Sequence, residues 1–212
     1  PDSYVVNGRR YYVMDDAHGY VERGIASWYG KKFHGHRTSS GEPYNMYAMT
    51  AAHKQLPLPT YVRVTNLENR RSVVVRVNDR GPFHANRVID LSYAAAKKLG
   101  ISAKGTGMVE VRIIQPGAKP PAVKQSPARS QPQQAEFQLY LQVGAFVSRH
   151  NAEQLQQKLR NRFTQLNVQS GYNAENNIYR VRIGPLASVA EADRLAEALS
   201  SQGFATPHIV VD

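Results

Sequence analysis

The chain has 212 residues, 42% of them hydrophobic, no cysteine and a formal net charge of +11. That length suffices for one or two domains with cores of their own, and the missing cysteines exclude disulfides, thiolate nucleophiles and cysteine-based zinc sites. No apolar run approaches the roughly 18 to 20 residues that cross a bilayer, and Pro1-Asp2-Ser3-Tyr4 lacks a basic-then-apolar signal pattern, so any targeting signal is expected to have been removed or never to have existed.

In chain order, residues 1–20 form an N-terminal extension in which Asn7-Gly8, between Tyr4-Val5-Val6 and Tyr11-Tyr12-Val13, predicts a β-hairpin. Residues 21–115 read as a mostly-β domain. Short runs rich in Val, Ile, Tyr and Thr predict strands at 25–29, 61–65, 72–77 and 108–114. One helix is expected after Ser92 as N-cap, with Lys97 and Lys98 in its last turn and Gly100 as terminator. Small, turn-rich β domains usually close into barrels. The irregular stretch 30–47 is then expected to carry function.

Residues 116–136 hold five prolines and little that could enter a core, which predicts an extended linker. Residues 137–212 contain a repeat at an offset of 40: Gly144 and Gly184, Ser148 and Ser188, Ala152 and Ala192, Leu155 and Leu195, Leu159 and Leu199 correspond. Each copy reads strand, glycine turn, serine cap, amphipathic helix, and Ser188 to Glu191 has capping-box spacing. With strands added near 166–172 and 206–211 the order becomes βαββαβ, a split-βαβ arrangement with helices on one sheet face. Period two assigns Leu141, Val143, Ala145, Val181 and Ile183 to the covered face. Tyr140, Gln142, Gly144 and Phe146, with Arg180 and Arg182, are assigned to the open one. Such a face suits a polymer that stacks and hydrogen-bonds, either single-stranded RNA or a glycan, or it is an ordinary solvated sheet.

Charge is uneven. Residues 21–116 carry 15 Lys+Arg against 6 Asp+Glu, whereas 137–212 carry 7 against 6. A basic first half fits an anionic polymer or simply a surface kept soluble by charge. Within it, Val73, Val75 and Val77 mark one buried strand face, and Gly81-Pro82 stops the ladder just past Asp79. Asp79 is therefore expected at an exposed strand end, as an acid/base catalyst or as an Asx-turn acceptor. Glu42, among the turn formers Thr38-Ser39-Ser40-Gly41, is the second loop carboxylate. Glycan cleavage uses one carboxyl to protonate the leaving oxygen and often another to stabilise charge. Asp90, before the helix, is best explained by N-terminal capping. His34, His36, His53 and His84 lack a defined ligand spacing, so no metal and no cofactor is expected.

Ala26-Ser27-Trp28-Tyr29-Gly30, Thr38-Ser39-Ser40-Gly41-Glu42, Ala48-Met49-Thr50-Ala51-Ala52-His53, Val77-Asn78-Asp79-Arg80-Gly81-Pro82-Phe83 and Ile89-Asp90-Leu91-Ser92, in that order, closely resemble the rare lipoprotein A family. Gln142-Val143-Gly144-Ala145-Phe146 and Arg180-Val181-Arg182-Ile183-Gly184-Pro185 resemble the SPOR domain. The resemblance implies a six-stranded double-psi β-barrel, related to expansins, followed by a module that binds peptidoglycan strands stripped of stem peptides at division sites. It places the family's catalytic Glu on Glu42 and Asp on Asp79, and implies lytic transglycosylase activity that leaves a 1,6-anhydro end. Asp79 takes the acid/base role and Glu42 the charge-stabilising one, although the roles are exchangeable and neighbouring arginines favour the charged carboxylate. Trp28 and Tyr29 are expected either to stack on sugars or to pack in the barrel. His53, Asn78, Arg80 and Asp90 complete the expected substrate contacts, with Arg80 and Arg182 as partners for muramic acid carboxylates.

The resemblance further implies an outer-membrane lipoprotein facing the periplasm, enriched at the septum, although this chain lacks the cysteine that carries the anchor. The expected partner is denuded glycan, bound by a monomer. A non-catalytic, expansin-like wall binder is the alternative. Nucleic-acid binding is disfavoured, because Gln142 and Arg182 stand where stacking rings would be required.

Overall fold

The computed structural model describes residues 2–114 and 137–212. The linker expected at 116–136 lies outside the described residues. The N-terminal hairpin is present, with β1 (Ser3–Val6) antiparallel to β2 (Arg9–Tyr12). Asn7 and Gly8 both adopt positive φ, as the tight turn between twisted strands requires.

Six strands close into a barrel: β3 (Val21–Tyr29), β4 (Thr50–Ala52), β5 (Thr60–Asn66), β6 (Ser72–Asp79), β7 (Ile89–Ser92) and β8 (Gly107–Ile113), in the spatial order β3-β7-β4-β6-β5-β8. The pairs β3/β7 and β4/β6 are parallel and the others antiparallel. Alternation places Val62, Val64, Val73, Val75, Val77, Val109 and Val111 in the interior with Ile89 and Leu91. The four strands expected from periodicity appear, each within a few residues. β4 and β7, of three and four residues, are too short to show a period and become strands only through pairing.

The helix α1 (Tyr93–Leu99) buries Ala95, Ala96 and Leu99. Ser92 Oγ accepts from Ala95 N (3.2 Å) and donates to Ala48 O (2.6 Å). Gly100, at φ +84°, ends the helix in the left-handed conformation. Asp90 plays no part in this cap. It lies in β7, two residues too early, which corrects the capping expectation.

The second half is βαββαβ: β9 (Leu139–Phe146), α2 (Arg149–Arg162), β10 (Val168–Asn173), β11 (Ile178–Leu186), α3 (Val189–Ser201) and β12 (His208–Val211), with antiparallel sheet order β10-β11-β9-β12. Ser148 and Ser188 cap the helices as expected. The Glu191 side chain reaches back to Ala187 N (2.8 Å), one residue beyond the usual capping-box donor. Leu141, Val143, Val181, Ile183, Ala152 and Leu159 share one core.

The barrel and this sheet meet through Ile25 and Leu67 on one side and Leu139, Ala192 and Val211 on the other. Arg87, buried, pairs with both carboxylate oxygens of Asp193 (3.1 and 2.6 Å). A 690 Å³ cleft lined by Met108, Phe137, Leu186 and Val189 runs along the junction but touches neither Glu42 nor Asp79. Among the described residues, no helix is long and apolar enough to cross a membrane.

Candidate active site

β6 delivers Asp79 to the barrel rim, and the turn Thr38–Gly41 folds over it. Gly41 N donates to Thr38 O (2.9 Å), and Ser40 N donates to Asn78 O (3.2 Å). The Asp79 carboxylate latches this turn: its Oδ1 accepts from Ser39 N, Ser39 Oγ and Arg80 N, each at 2.8 Å. Two of these donors come from 40 residues away, so the carboxylate is a tertiary anchor rather than a local Asx turn. Among the described residues no hydrogen bond reaches Oδ2. One oxygen is thus fixed by three donors.

Glu42 sits on the same turn. Ser40 Oγ donates to its Oε1 (3.0 Å), and Arg76 clasps it in a fork, Nη1 to Oε1 at 2.6 Å and Nη2 to Oε2 at 2.7 Å. Hydrogen bonding from Arg76, helped by Asn78 and Ser40, holds its pKa down at about 2. Glu42 is thus a permanent carboxylate at neutral pH, unfit to donate a proton. The two acids expected from the sequence are brought together, since Ser39 and Ser40, adjacent in the chain, each bind one of them.

Arg76 was not singled out in the sequence. The signal was available, because Arg76 and Asn78 alternate with Val75 and Val77 and so share the outward side of β6 with the rim. Asn78 is buried at 2% exposure and supports Glu42 rather than facing solvent. Arg80 is anchored as well: its Nη1 donates to the carbonyls of His53 and Leu56, and its guanidinium lies 5.4 Å from the Tyr4 ring centre, while the residue stays half-exposed.

His53, at 2% exposure, has no surface to offer a substrate. Its Nδ1 accepts from Gln55 N (3.1 Å) and Leu56 N (3.0 Å), and its Nε2 meets Tyr20 Oη at 3.0 Å. Burial lowers its pKa despite the nearby Glu22 carboxylate. Its main-chain N–H donates to Asp79 O (3.0 Å), so His53 positions the β6 end. Asp90 neighbours Ala52 across β7/β4, and Ala52 neighbours Asp79 across β4/β6, so both acids lie in one row across three strands. Ser27 Oγ donates to Asp90, and burial raises the Asp90 pKa against that bond.

Trp28, half-buried, packs against the barrel core, with its ring 5.5 Å from that of Tyr93. Tyr29 is stacked on Tyr44 at 4.1 Å, and Tyr44 Oη donates to Tyr29 O. Burial first, then the charge of Asp79, raises the Tyr29 phenol pKa. Tyr44 had no role in the sequence reading.

Asp79, Ser39 and Ser40 line an 800 Å³ groove together with Pro57, Leu58, Pro59, Arg80, Phe83 and three residues of the N-terminal segment, Tyr4, Val6 and Val13. Glu42 stands outside its lining.

On the second sheet, Tyr140, Gln142, Arg180 and Arg182 take the open face as expected. The Arg182 guanidinium lies 5.9 Å from the Tyr140 ring centre and pairs with Asp212. Gly144 and Phe146 do not share that face. A register shift between Val181 and Arg182 places one extra residue, Val143, in β9, so the alternation inverts after it. Phe146 packs into the helix-covered core, Ala145 turns outward, and a Cβ on Gly144 would lie 2.7 Å from Leu155 of α2.

Fold and site together define a double-psi β-barrel protein with two carboxylates on its rim, extended by a SPOR domain. A family model described as lytic transglycolase matches residues 21–113, and one described as SPOR domain matches residues 136–210. The endolytic peptidoglycan transglycosylase RlpA of Pseudomonas aeruginosa (strain UCBPP-PA14) is 41% identical, the match covering 98% of this chain and 75% of that protein. RlpA of Vibrio cholerae is 42% identical, covering 95% and 73%, and RlpA of Neisseria meningitidis serogroup B is 41% identical, covering 92% and 77%. The chain belongs to the RlpA family.

Proposed function

We propose that this chain is an endolytic peptidoglycan transglycosylase that cuts between N-acetylmuramic acid and N-acetylglucosamine in strands lacking stem peptides. The observation that carries this is the pair of carboxylates gathered at one turn, Glu42 held ionised by Arg76 and Asp79 latched to Ser39 at the groove, its Oδ2 without a hydrogen bond among the described residues. Asp79 gives its proton to the glycosidic oxygen as the bond from that oxygen to C1 breaks. The muramic acid 6-hydroxyl then bonds to C1 and returns its proton to Asp79, so no water enters. Glu42 steadies the positive charge that develops at the ring.

Tyr140, Gln142, Arg180 and Arg182 are the surface through which the SPOR domain holds denuded glycan, raising the local concentration of substrate at the barrel. The names borne by the relatives support a place in the cell envelope, and septal enrichment and lipid anchoring extend that reading. The test is digestion of sacculi and of glycan stripped of stem peptides. Wild type is expected to release 1,6-anhydro ends and Asp79→Asn to lose them by at least about 10²-fold. Identical products from both proteins overturn the catalytic assignment. Binding without any anhydro product supports the expansin-like alternative instead.

A further inference from the structure

The hairpin β1/β2 is outside the barrel, yet it is fastened to it at the catalytic rim. Tyr4 Oη donates to Lys54 O (2.8 Å), and Met14 N donates to Gln55 O (2.8 Å). Tyr4 stacks on Tyr11 at 5.4 Å, and both rings meet Phe83, at 6.3 and 5.5 Å. Phe83 belongs to the turn that follows Asp79. The Arg80 guanidinium, one residue from Asp79, lies against Tyr4. These contacts bring Tyr4, Val6 and Val13 into the lining of the 800 Å³ groove, which they share with Pro57, Leu58, Pro59 and Asp79.

We propose that the N-terminal hairpin is part of the substrate-binding site: it forms one wall of a subsite for the sugar units next to the bond that Asp79 cuts. The inference rests on the proposed glycan cleavage and deepens it. A polymer cut within its length must continue past the reacting bond. The groove lined by the hairpin is continuous with Asp79 and of a size that encloses ligands. Its lining is mainly apolar, as the C–H faces of pyranose rings require, and its polar groups are Ser39, Ser40, Asp79 and Arg80, which adjoin the reacting carboxylate in the chain or by hydrogen bond. Tyr4 is covered on its faces by Tyr11 and Arg80, so it acts as a positioning residue that fixes the hairpin and Arg80, while Val6 and Val13 face the ligand.

The test uses the full chain and soluble stem-peptide-free glycan oligosaccharides of graded length. Val6→Asn is expected to raise KM about tenfold for oligosaccharides long enough to enter the groove, with kcat within about twofold of wild type, and Tyr4→Ala, which releases the hairpin, is expected to raise KM at least as much. The shortest cleaved oligosaccharide is expected to lose little. Hydrogen exchange on Asp79→Asn with the same ligands tests the subsite without turnover: protection is expected at residues 3–6 and at Leu58, whose neighbours Pro57 and Pro59 have no amide to exchange. Cleavage by wild type, with no protection there and unchanged KM in both variants, overturns the hairpin subsite and leaves the activity intact. Protection there without any cleavage by wild type supports the subsite and overturns the transglycosylase reading. A uniform fall in kcat for every length, with the melting temperature lowered, assigns the hairpin a purely structural role and also overturns the proposal.

Discussion

Arg76 sets the two rim carboxylates apart, because its fork is spent on Glu42 and leaves Asp79 without an ion pair among the described residues. Removing the fork in Arg76→Leu returns Glu42 toward the ordinary carboxylate range from about 2. Activity that depends on ionised Glu42 is then expected to fail at a higher pH on the acid side, and the pH–rate profile of kcat/KM reads the shift directly. The sign for stability follows the same direction. A depressed carboxylate stabilises the fold above its unfolded value and loses that contribution as pH falls toward 2; the pair is a third exposed, so the effect on melting is small. Asp90 runs the other way. Burial raises its pKa, so the folded protein binds more protons than the unfolded chain, and stability falls as pH rises through the raised value. Asp90→Asn is expected to melt higher than wild type at pH 8 and to lose that advantage at pH 4, measured by paired thermal melts.

At the scale of single elements, β9 shows how one extra residue redirects a strand. The period-two pattern is correct through Val143 and inverted beyond it, because the bulge against β11 consumes a residue. Gly144 tolerates this only because it has no side chain: a Cβ would lie 2.6 Å from Phe146 and 2.7 Å from Leu155. Gly144→Val is expected to destabilise the second domain by about 1 to 3 kcal/mol through overpacking, visible in chemical denaturation. The helix α1 was legible from Ser92, its lysines and Gly100, since all its signals are local. Ser92 is fully buried with both a donor and an acceptor role, so Ser92→Ala is expected to cost roughly 1 to 2 kcal/mol. β4 and β7 were not legible, since each is made by neighbours distant in sequence.

The whole molecule adds a junction that neither half encodes alone. Arg87 is 7% exposed and is neutralised by Asp193 from α3, while Asn86 Oδ1 accepts from Ile209 N (3.2 Å). Asp193→Ala strands a buried guanidinium, an outcome more costly than never having built the pair. The expected result is faster hydrogen exchange at Leu139 and Ile209 and a larger radius of gyration in solution, with the barrel's own exchange unchanged. The junction lies away from Glu42 and Asp79, so catalysis on short oligosaccharides is expected to persist in this variant.

Taken by itself, the sequence determined the barrel-then-βαββαβ order, the capped helices, the hairpin turn, and the places of Asp79 at a strand end and Glu42 in a turn-rich loop. These rest on local propensity, on periodicity, and on motifs a few residues long. Only the tertiary structure decided that Arg76 clasps Glu42 across 34 residues, that Ser39 fixes one oxygen of Asp79, and that His53 is buried while Arg80 binds main-chain carbonyls. It also decided that Phe146 packs under the helices and that Tyr4 and Val6 wall the groove. The physical reason is the same in each case. A side chain's chemistry is set by what closes around it, and here those partners arrive from strands and turns that the chain brings together only when the barrel closes.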